Sequence, residues 1–321
     1  TLNMRRIVNS FNKKRVLVIG DTLLDVYMHG KSAGEALGTT APRVVEENSE
    51  NFFGGNSALA LNFLELGARV DFVTVLGNDE TAKVYAGLSH PRLTKHFFVD
   101  STRRTTVKRR IHVDGKRAMH FNSSDDHYLS AALQKKIFRL AQRLIKSADV
   151  VAFEDPQHGT LPRQLIQKLI ALAYKHEVPL FVDAQIAHRP SNHAMYRGAE
   201  TMLLNDKEAQ SIDKKFDPQD VRSSLLRIKK KFGYRNVVIK LGDRGSAALV
   251  NGQYIEVPVY PVKAIDPRCA GLSYLAACAL GDLDFAEETL RIASIWGALS
   301  TTVAGSTPPK KKELLRIVKG R

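Results

Sequence analysis

The sequence of 321 residues is poor in cysteine and tryptophan and contains no long apolar run. Two cysteines, Cys269 and Cys278, are too few for a disulfide framework or a cysteine-based zinc site, and this count is typical of a reducing, intracellular compartment. No stretch of 18 apolar residues occurs, so no membrane span is predicted. The opening residues lack the apolar core of a secretory signal. A first residue Thr1 instead of Met is compatible with a presequence removed in a mitochondrial or other organellar matrix, and equally with a trimmed cytoplasmic chain.

Acidic residues are also scarce, with 33 Asp and Glu against 48 Lys and Arg, which gives a formal net charge of +15. Such a charge attracts polyanions, and a small-metabolite enzyme does not need it. We therefore expect protein partners in a larger assembly, with RNA or another polyanion as an alternative partner. The simpler explanation of each cluster of basic residues is that it belongs to a solvated helix face or to a frayed tail. The basic residues concentrate in Lys13 to Arg15, Lys108 to Arg110, Arg227 to Lys231 and a C-terminal tail at 308–321.

The apolar pattern predicts a single α/β domain over residues 1–321. Arg15 to Ile19 is a short apolar run that ends at Gly20 and Asp21, which is typical of a buried central strand that leads into a functional loop. Helical patterns at Ala131 to Lys146 and Pro162 to His176 alternate with further strand signals, so a mostly parallel sheet is predicted. Two packed helices are expected between Ser273 and Val303. The further strand signals are Val70 to Val75, Val150 to Phe153, Leu180 to Val182, Thr201 to Leu204 and Val237 to Lys240.

Two other segments alternate polar and apolar residues and predict a small β-sheet lid. They lie within about 24–53 and 105–121. In the second segment, Asp114 and Gly115 form a two-residue hairpin signal between alternating strands.

Several motifs occur in an order that resembles the PfkB (ribokinase-like) carbohydrate kinases, and most closely the heptose 7-phosphate kinase domain of bacterial ADP-heptose synthesis. The resemblance covers nearly the whole chain. It implies a three-layer α/β/α domain with a lid, ATP and Mg²⁺ as possible cofactors, and dimerisation through the lid as one possibility. The motifs are Val16 to Asp25, Ala41 to Val45, Phe53 to Asn62, Leu203 to Ala209 and Leu241 to Gly245.

The resemblance also implies roles for individual positions. Asp25 matches a carboxylate that binds sugar hydroxyls, but the family's sugar-binding Asn falls on Ala58, and Asn56 has the wrong helical phase to replace it. No metal ligand is certain, and a helix-start pair is the alternative interpretation of Asn205 and Glu208. The remaining matches are Gly54 and Gly55 for sugar approach, Asn205 and Glu208 for support of Mg²⁺, and Gly242, Gly245 and Asp266 for the nucleotide side.

The catalytic loop departs from the family pattern Asp-Thr-x-Gly-Ala-Gly-Asp. Cys269 replaces the first glycine, Pro267 lacks an N–H donor, and Leu272 occupies the position of the general base. Leucine cannot accept a proton, and loss of a general base costs roughly 10²- to 10⁴-fold in rate. Ser273 is no substitute, because its neutral hydroxyl points elsewhere on the helix. The positions that still match are Asp266, Ala270 and Gly271.

Two nearby features bear on this loss. Glu154 and Asp155 follow a predicted strand and could supply a replacement acid, although pairing with Arg or Lys is the simpler expectation. Arg268 could bind a phosphate or fill the anion hole by pairing with Asp266.

The sequence thus leads us to expect that the chain is not an enzyme. The leading hypothesis is a catalytically inactive structural or interaction subunit, for example in a nucleoprotein or organellar assembly. The alternatives are an ATP-dependent sugar kinase with an altered catalytic loop, and a nucleotide sensor without turnover.

Overall fold

A computed structural model describes residues 2–186 and 189–320. Thr1 and Arg321, which fall in the predicted domain and tail, lie outside the described residues. The strands are β1 Arg15–Ile19, β2 Thr22–Glu35, β3 Pro42–Gly55, β4 Arg69–Leu76, β5 Leu93–Val99, β6 Val107–Val113, β7 Lys116–Ser123, β8 Val150–Asp155, β9 Leu180–Ala184, β10 Thr201–Asn205, β11 Asn236–Lys240, β12 Ser246–Val250 and β13 Gln253–Val257. The helices are α1 Leu2–Ser10, α2 Asn56–Glu65, α3 Glu80–Val84, α4 Ala131–Leu144, α5 Arg163–Lys175, α6 Asp206–Ile212, α7 Val221–Phe232, α8 Ala270–Leu280, α9 Ala286–Ser300 and α10 Lys311–Val318.

The large sheet has the strand order β13-β12-β11-β10-β9-β8-β1-β4-β5. All its pairs are parallel except those of β12 with β11 and β13. Strand β1 lies between β4 and β8, so the chain turns in opposite directions on either side of it. In open α/β sheets such a switch point leaves a ligand-binding crevice beyond the carboxyl ends of the strands.

Both faces of this sheet are buried, as the continuous apolar strands predicted. Side chains of β1 alternate between the two faces: Val16 and Val18 join one core, and Leu17 and Ile19 join the other. Helices α1, α2, α8, α9 and α10 cover the first face, and α4 to α7 cover the second. The predicted three-layer α/β/α architecture is confirmed.

The lid is a separate four-stranded sheet with the order β3-β2-β6-β7. The predicted turn joins β6 to β7, with Asp114 at φ 49° and Gly115 at φ 74°. Both residues lie in the left-handed region that a tight hairpin of this type requires. Only Gly20 and Asp21 separate the end of β1 from the start of β2, which attaches the lid directly to the crevice of the large sheet.

The C-terminal basic segment differs from the predicted frayed tail. Its residues from Lys311 to Val318 form helix α10, which contacts α1 and α9. Leu314 and Val318 are buried because residues four apart share one helix face. The basic side chains of the segment thus belong to a helix that packs against the domain.

No single helix in the described part of the chain is long and apolar enough to cross a membrane, although the segments Pro267–Leu280 and Leu283–Ser300, bent by 113°, meet the length and composition test as a pair.

Candidate active site

A cavity of about 1080 Å³ lies at the carboxyl edge of the large sheet, under the lid. Four neighbouring parallel strands each deliver one polar side chain to it, because their carboxyl ends meet at the same edge. The lid and the start of α8 close its other sides. The four strand-end residues are Glu154 of β8, Asp183 of β9, Asn205 of β10 and Lys240 of β11.

The predicted sugar-binding residues lie together in the wall under the lid. Asp25 of β2 is buried and forms an ion pair with Arg110 of β6, with 2.9 Å between Oδ1 and Nε. A Cβ at Gly54 would lie 2.8 Å from Asp25 Oδ2, and one at Gly55 would lie 3.0 Å from the carbonyl oxygen of Asp21. Glycine is therefore required at both positions to leave room for the carboxylate and the turn.

Asn56 has a structural role, in agreement with the predicted wrong phase. Its Nδ2 donates to the carbonyl oxygens of Asp21 at 2.8 Å and Glu154 at 2.7 Å, and its Oδ1 accepts from the Glu154 N–H at 2.9 Å. The side chain is fully buried and ties the end of β1 to the end of β8. Ala58 lies in the cavity wall.

Asn205 and Glu208 form a reciprocal capping box at the start of α6. Asn205 Oδ1 accepts from the Glu208 N–H at 2.8 Å, and Glu208 Oε2 accepts from the Asn205 N–H at 2.7 Å. The helix-start interpretation is thus observed, while both residues also line the cavity. Burial, followed by the negative charge of Asp183, raises the pKa of Glu208 to about 8.

Sequence reasoning missed the ion pair between Lys240 and Asp183. Lys240 Nζ donates to Asp183 Oδ2, and it lies only 2.9 Å from where a Cβ of Gly271 would stand. Burial alone would lower the pKa of Lys240, but Asp183 and Glu208 outweigh it and raise that pKa. An ammonium group therefore sits beside the backbone of the catalytic loop. The signal available in the sequence was a charged residue near the end of each of these two strands, Asp183 in β9 and Lys240 in β11.

The predicted nucleotide-side turn follows β11. Gly242 has φ 61° and Gly245 has φ 84°, and a Cβ at Gly245 would lie 2.1 Å from the carbonyl oxygen of Val257. The turn therefore requires glycine. Both glycines line the cavity together with an unpredicted loop over 259–264, which carries no motif that sequence reasoning could have used.

The catalytic loop is held by Arg268. Its Nε and Nη2 each lie 2.7 Å from an oxygen of Asp266, and its guanidinium carbon lies 4.4 Å from the ring centre of Tyr27 in the lid. Burial opposes ionisation of Asp266, but the hydrogen bonds and charge of Arg268 lower its pKa. Of the two predicted roles for Arg268, pairing with Asp266 is the one observed.

The three altered loop positions face the cavity as the motif placed them. Pro267 and Cys269 form a short 3₁₀ turn, and Leu272 lies in the first turn of α8. Burial raises the pKa of the Cys269 thiol to about 12, so the thiol is neutral and does not act as an anion. Ser273 is buried and does not reach the cavity.

Glu154 is a buried carboxyl group that lines the same cavity as the loop. Its side chain is 6% exposed, and its Oε1 accepts a hydrogen bond from Gln185 Nε2. Its Oε2 has no hydrogen-bond partner among the described residues and lies 3.6 Å from where a Cβ of Gly55 would stand. Burial, and then the charge of Asp183, raises its pKa to about 8, while Lys108 acts in the opposite direction. The expected pairing with Arg or Lys is not formed, since Lys108 makes no ion pair with it in the described residues.

Asp155, the other candidate acid, is committed to the structure. Its Oδ2 accepts from the Tyr196 hydroxyl at 2.6 Å and from Asn192 Nδ2 at 2.7 Å, and its Oδ1 accepts from the Gln157 N–H at 2.9 Å. These three bonds engage both carboxylate oxygens, and Asp155 does not line the cavity.

The donor set is compatible with Mg²⁺ carried by a nucleotide. No group of three or more His, Cys, Asp or Glu residues in the described chain could hold a metal alone. Magnesium is ordinarily held by one or two carboxylates, waters and substrate phosphates. Asp183 and Glu208 offer such oxygens beside Lys240. When bound there, Mg²⁺ would neutralise phosphate charge.

Comparison with solved structures confirms the ribokinase-like fold. The structure of Arabidopsis thaliana ribokinase complexed with ribose and ATP matches with a TM-score of 0.75 at 18% identity, over 95% of this chain and 99% of that one. Escherichia coli phosphofructokinase-2 in complex with potassium matches with a TM-score of 0.74 at 17% identity, over 96% and 98%.

Curated relatives carry the name bifunctional protein HldE. The protein of a Nitratiruptor species is 26% identical over 91% of this chain and 61% of its own length. That of Bradyrhizobium diazoefficiens is 27% identical over 98% and 65%, and that of a Helicobacter pylori strain is 29% identical over 84% and 58%. The chain therefore spans about three-fifths of the length of these relatives.

The family comparison settles the predicted resemblance and corrects the leading functional hypothesis. A model of the pfkB family carbohydrate kinases matches residues 13–313. The hypothesis of an inactive structural subunit is wrong on these comparisons, because the family model describes carbohydrate kinases and the solved structures are a ribokinase and a phosphofructokinase. The chain belongs to the pfkB family of carbohydrate kinases.

Proposed function

We propose that the protein is an ATP-dependent kinase of a phosphorylated sugar in which Glu154 replaces the missing catalytic base. The observation that carries this proposal is a buried carboxyl oxygen, Glu154 Oε2, that has no partner among the described residues and lies at the wall of the same cavity as Leu272. A buried acceptor without a partner is costly, and such groups are concentrated at functional sites.

The pKa of Glu154 suits proton transfer near neutral pH. A general base works best when its pKa lies near the operating pH, and a value of about 8 leaves roughly a tenth of the carboxyl ionised at pH 7. In the proposed step, a sugar hydroxyl oxygen forms a bond to the γ-phosphorus of ATP and the bond from that phosphorus to ADP breaks. The hydroxyl proton passes to Glu154 Oε2. Lys240, beside Gly271, would stabilise charge on the transferred phosphoryl group.

Cationic side chains support a sugar that already carries a phosphate. Lys108, Arg110 and Arg268 line the lid side of the cavity, next to Asp25. The charges of Arg110 and Arg268 are already balanced by Asp25 and Asp266, so neither arginine needs a substrate phosphate as a partner. Lys108 has no ion-pair partner in the described residues and is free to meet a phosphate dianion. The resemblance implies heptose 7-phosphate as the first substrate to test.

The test is sugar-dependent ADP release from Mg²⁺ and ATP, with phosphosugar product identified by mass spectrometry. The panel contains heptose 7-phosphate, glucose 6-phosphate, fructose 6-phosphate and unphosphorylated ribose. We expect turnover with a phosphorylated sugar and its near loss in the Glu154→Gln variant. Absence of a phosphorylated product with every sugar would overturn the proposal.

Several expectations stay predictions. They are the larger assembly, dimerisation through the lid and an organellar or cytoplasmic location. The nucleotide sensor remains an alternative, which nucleotide binding without any sugar-dependent turnover would favour.

A further inference from the structure

The structure contains a basic surface that sequence clusters did not indicate. Helices α4 and α5 pack side by side on the face of the molecule opposite to α8 and α9. Two adjoining grooves of about 470 and 450 Å³ follow the line between them. We call this line the α4–α5 seam, defined by six exposed cations: Lys135, Arg139, Arg143, Lys146, Lys168 and Lys175.

The seam carries charge of a single sign. No Asp or Glu occurs between Asp126 and Asp149, a stretch that contains all of α4, or between Asp155 and Glu177, which contains all of α5. None of the six cations forms an ion pair within residues 2–186 and 189–320. Only Lys168 has a ring contact, with Nζ 5.7 Å from the centre of Phe138. These charges are therefore available to a partner.

Several members of the basic clusters predicted from sequence have partners inside the molecule. In α7, Arg227 pairs with Asp213 at 2.9 Å, and Lys229 and Lys231 donate to backbone carbonyl oxygens. Elsewhere, Arg15 pairs with Asp71, Arg110 with Asp25, and Lys310 with Glu65. Side chains that already have internal partners contribute less to external binding than the unpaired cations of the seam.

We infer that the α4–α5 seam binds a single-stranded nucleic acid. The cations Lys135, Arg139 and Arg143 of α4 recur about once per helical turn, and Lys146 continues the row in the 3₁₀ turn that follows, so that the row extends over roughly 16 Å at about 1.5 Å per residue. A regular row of cations in a groove matches a chain with a charge at every unit. Gln142 and Gln164 line the same grooves and supply amides that can both donate and accept hydrogen bonds.

A membrane surface fits less well. Among the described residues of α4 and α5, Tyr174 is the only large apolar side chain in the exposed class, and it does not line the seam grooves. A surface helix that inserts into a bilayer needs several apolar side chains. An acidic protein segment would share the charge but not the regular spacing.

The test measures binding of fluorescent 20-nucleotide oligouridine and its deoxy equivalent as salt is raised. The seam variant carries Arg139→Glu, Arg143→Glu and Lys168→Glu. The matched control carries Lys214→Glu, Lys215→Glu and Lys230→Glu, three exposed changes of equal charge near α7. Circular dichroism melting and the kinase assay verify that both variants fold and keep the cavity intact.

We expect binding by either oligonucleotide to weaken steeply with salt, since each phosphate contact adds about 0.7 to the logarithmic slope for a single strand. The seam variant should lose at least tenfold in affinity and about 2 in slope, while the control changes by less than threefold. Equal losses in the two variants would show diffuse attraction and overturn the inference. Stronger competition by polyglutamate or phosphatidylserine vesicles than by unlabelled oligonucleotide would also overturn it.

Discussion

Replacement of Glu154 by Gln gives the sharpest test of the proposed chemistry. The change keeps the size and the contact with Gln185 but removes the proton acceptor. General-base catalysis is worth roughly 10²- to 10⁴-fold, so kcat should fall by that factor while KM changes little. The variant is expected to stay folded, because an uncharged amide replaces a carboxyl group that is buried without a cationic partner.

The pH dependence gives an independent measure of the same group. Because the pKa of Glu154 is about 8, the rate of the unmodified enzyme should rise close to tenfold per pH unit below that value and level off above it. The assay is coupled ADP release at saturating ATP and sugar between pH 6 and 9. A Glu154→Gln enzyme with full activity and the same pH profile would refute the assignment.

The same shift predicts how stability depends on pH. The pKa of Glu154 is about 8 in the folded protein against an ordinary 4.5. Between these values the folded state holds a proton that the unfolded chain has released, so stability falls as pH rises through this window. Glu154→Gln removes this contribution, and its melting temperature should exceed that of the unmodified protein at pH 8 by more than at pH 5. An equal difference at both values would contradict the buried, protonated carboxyl.

Three further predictions concern the loop residue Leu272, the hydrogen bonds of Asn56 and the binding of nucleotide. Leu272→Asp should raise kcat at least about tenfold at pH 7, where most of Glu154 is protonated, whereas Leu272→Asn should not; equal effects would exclude proton transfer. Asn56→Ala breaks three buried hydrogen bonds and should cost roughly 2–4 kcal/mol in urea unfolding, against less than about 1 kcal/mol for the exposed Asn48→Ala in the lid. Mg²⁺ and ATP at 100 times their dissociation constant should add about 2.7 kcal/mol of stability, and an unchanged melting temperature at millimolar nucleotide would argue against the nucleotide site.

Much of the fold was readable from the sequence because its signals are local. Buried parallel strands are short apolar runs, and all six strand signals of the large sheet lie in observed strands. The strands that sequence reasoning missed are β5, β12 and β13, at the two edges of the large sheet. The edge strands β5 and β13 are only partly buried, so their apolar pattern is incomplete, whereas β12 is fully buried but contains Ala247 and Ala248, which have a weak strand preference. The C-terminal helix was missed because lysines mask the apolar pair Leu314 and Val318.

The site was only partly readable, because its chemistry depends on which side chains meet across strands. The motif placed Leu272 correctly, but it could not show that Glu154 Oε2 is left without a partner in the described structure, or that Lys240 approaches Gly271. Both facts depend on side chains from separate strands, which meet at one edge of the sheet. The α4–α5 seam could not be predicted for the same reason, because its cations are dispersed in the sequence and lie side by side only when α4 packs against α5.

Whether proton transfer can occur therefore depends on all the side chains at the carboxyl edge of the large sheet, and not on position 272 alone. Asp25 and Asp183 each form an ion pair with a cation, so each already has a partner in the structure. Among the carboxyl groups that line the cavity in residues 2–186 and 189–320, Glu154 alone combines deep burial with an oxygen that lacks a hydrogen-bond partner, and for this reason we propose it as the proton acceptor. A base delivered from β8 reaches the same cavity as one delivered from α8, because both elements end or begin at that edge. Under the proposed function, the proton acceptor therefore lies on β8 instead of at position 272 of α8, and the reaction is retained.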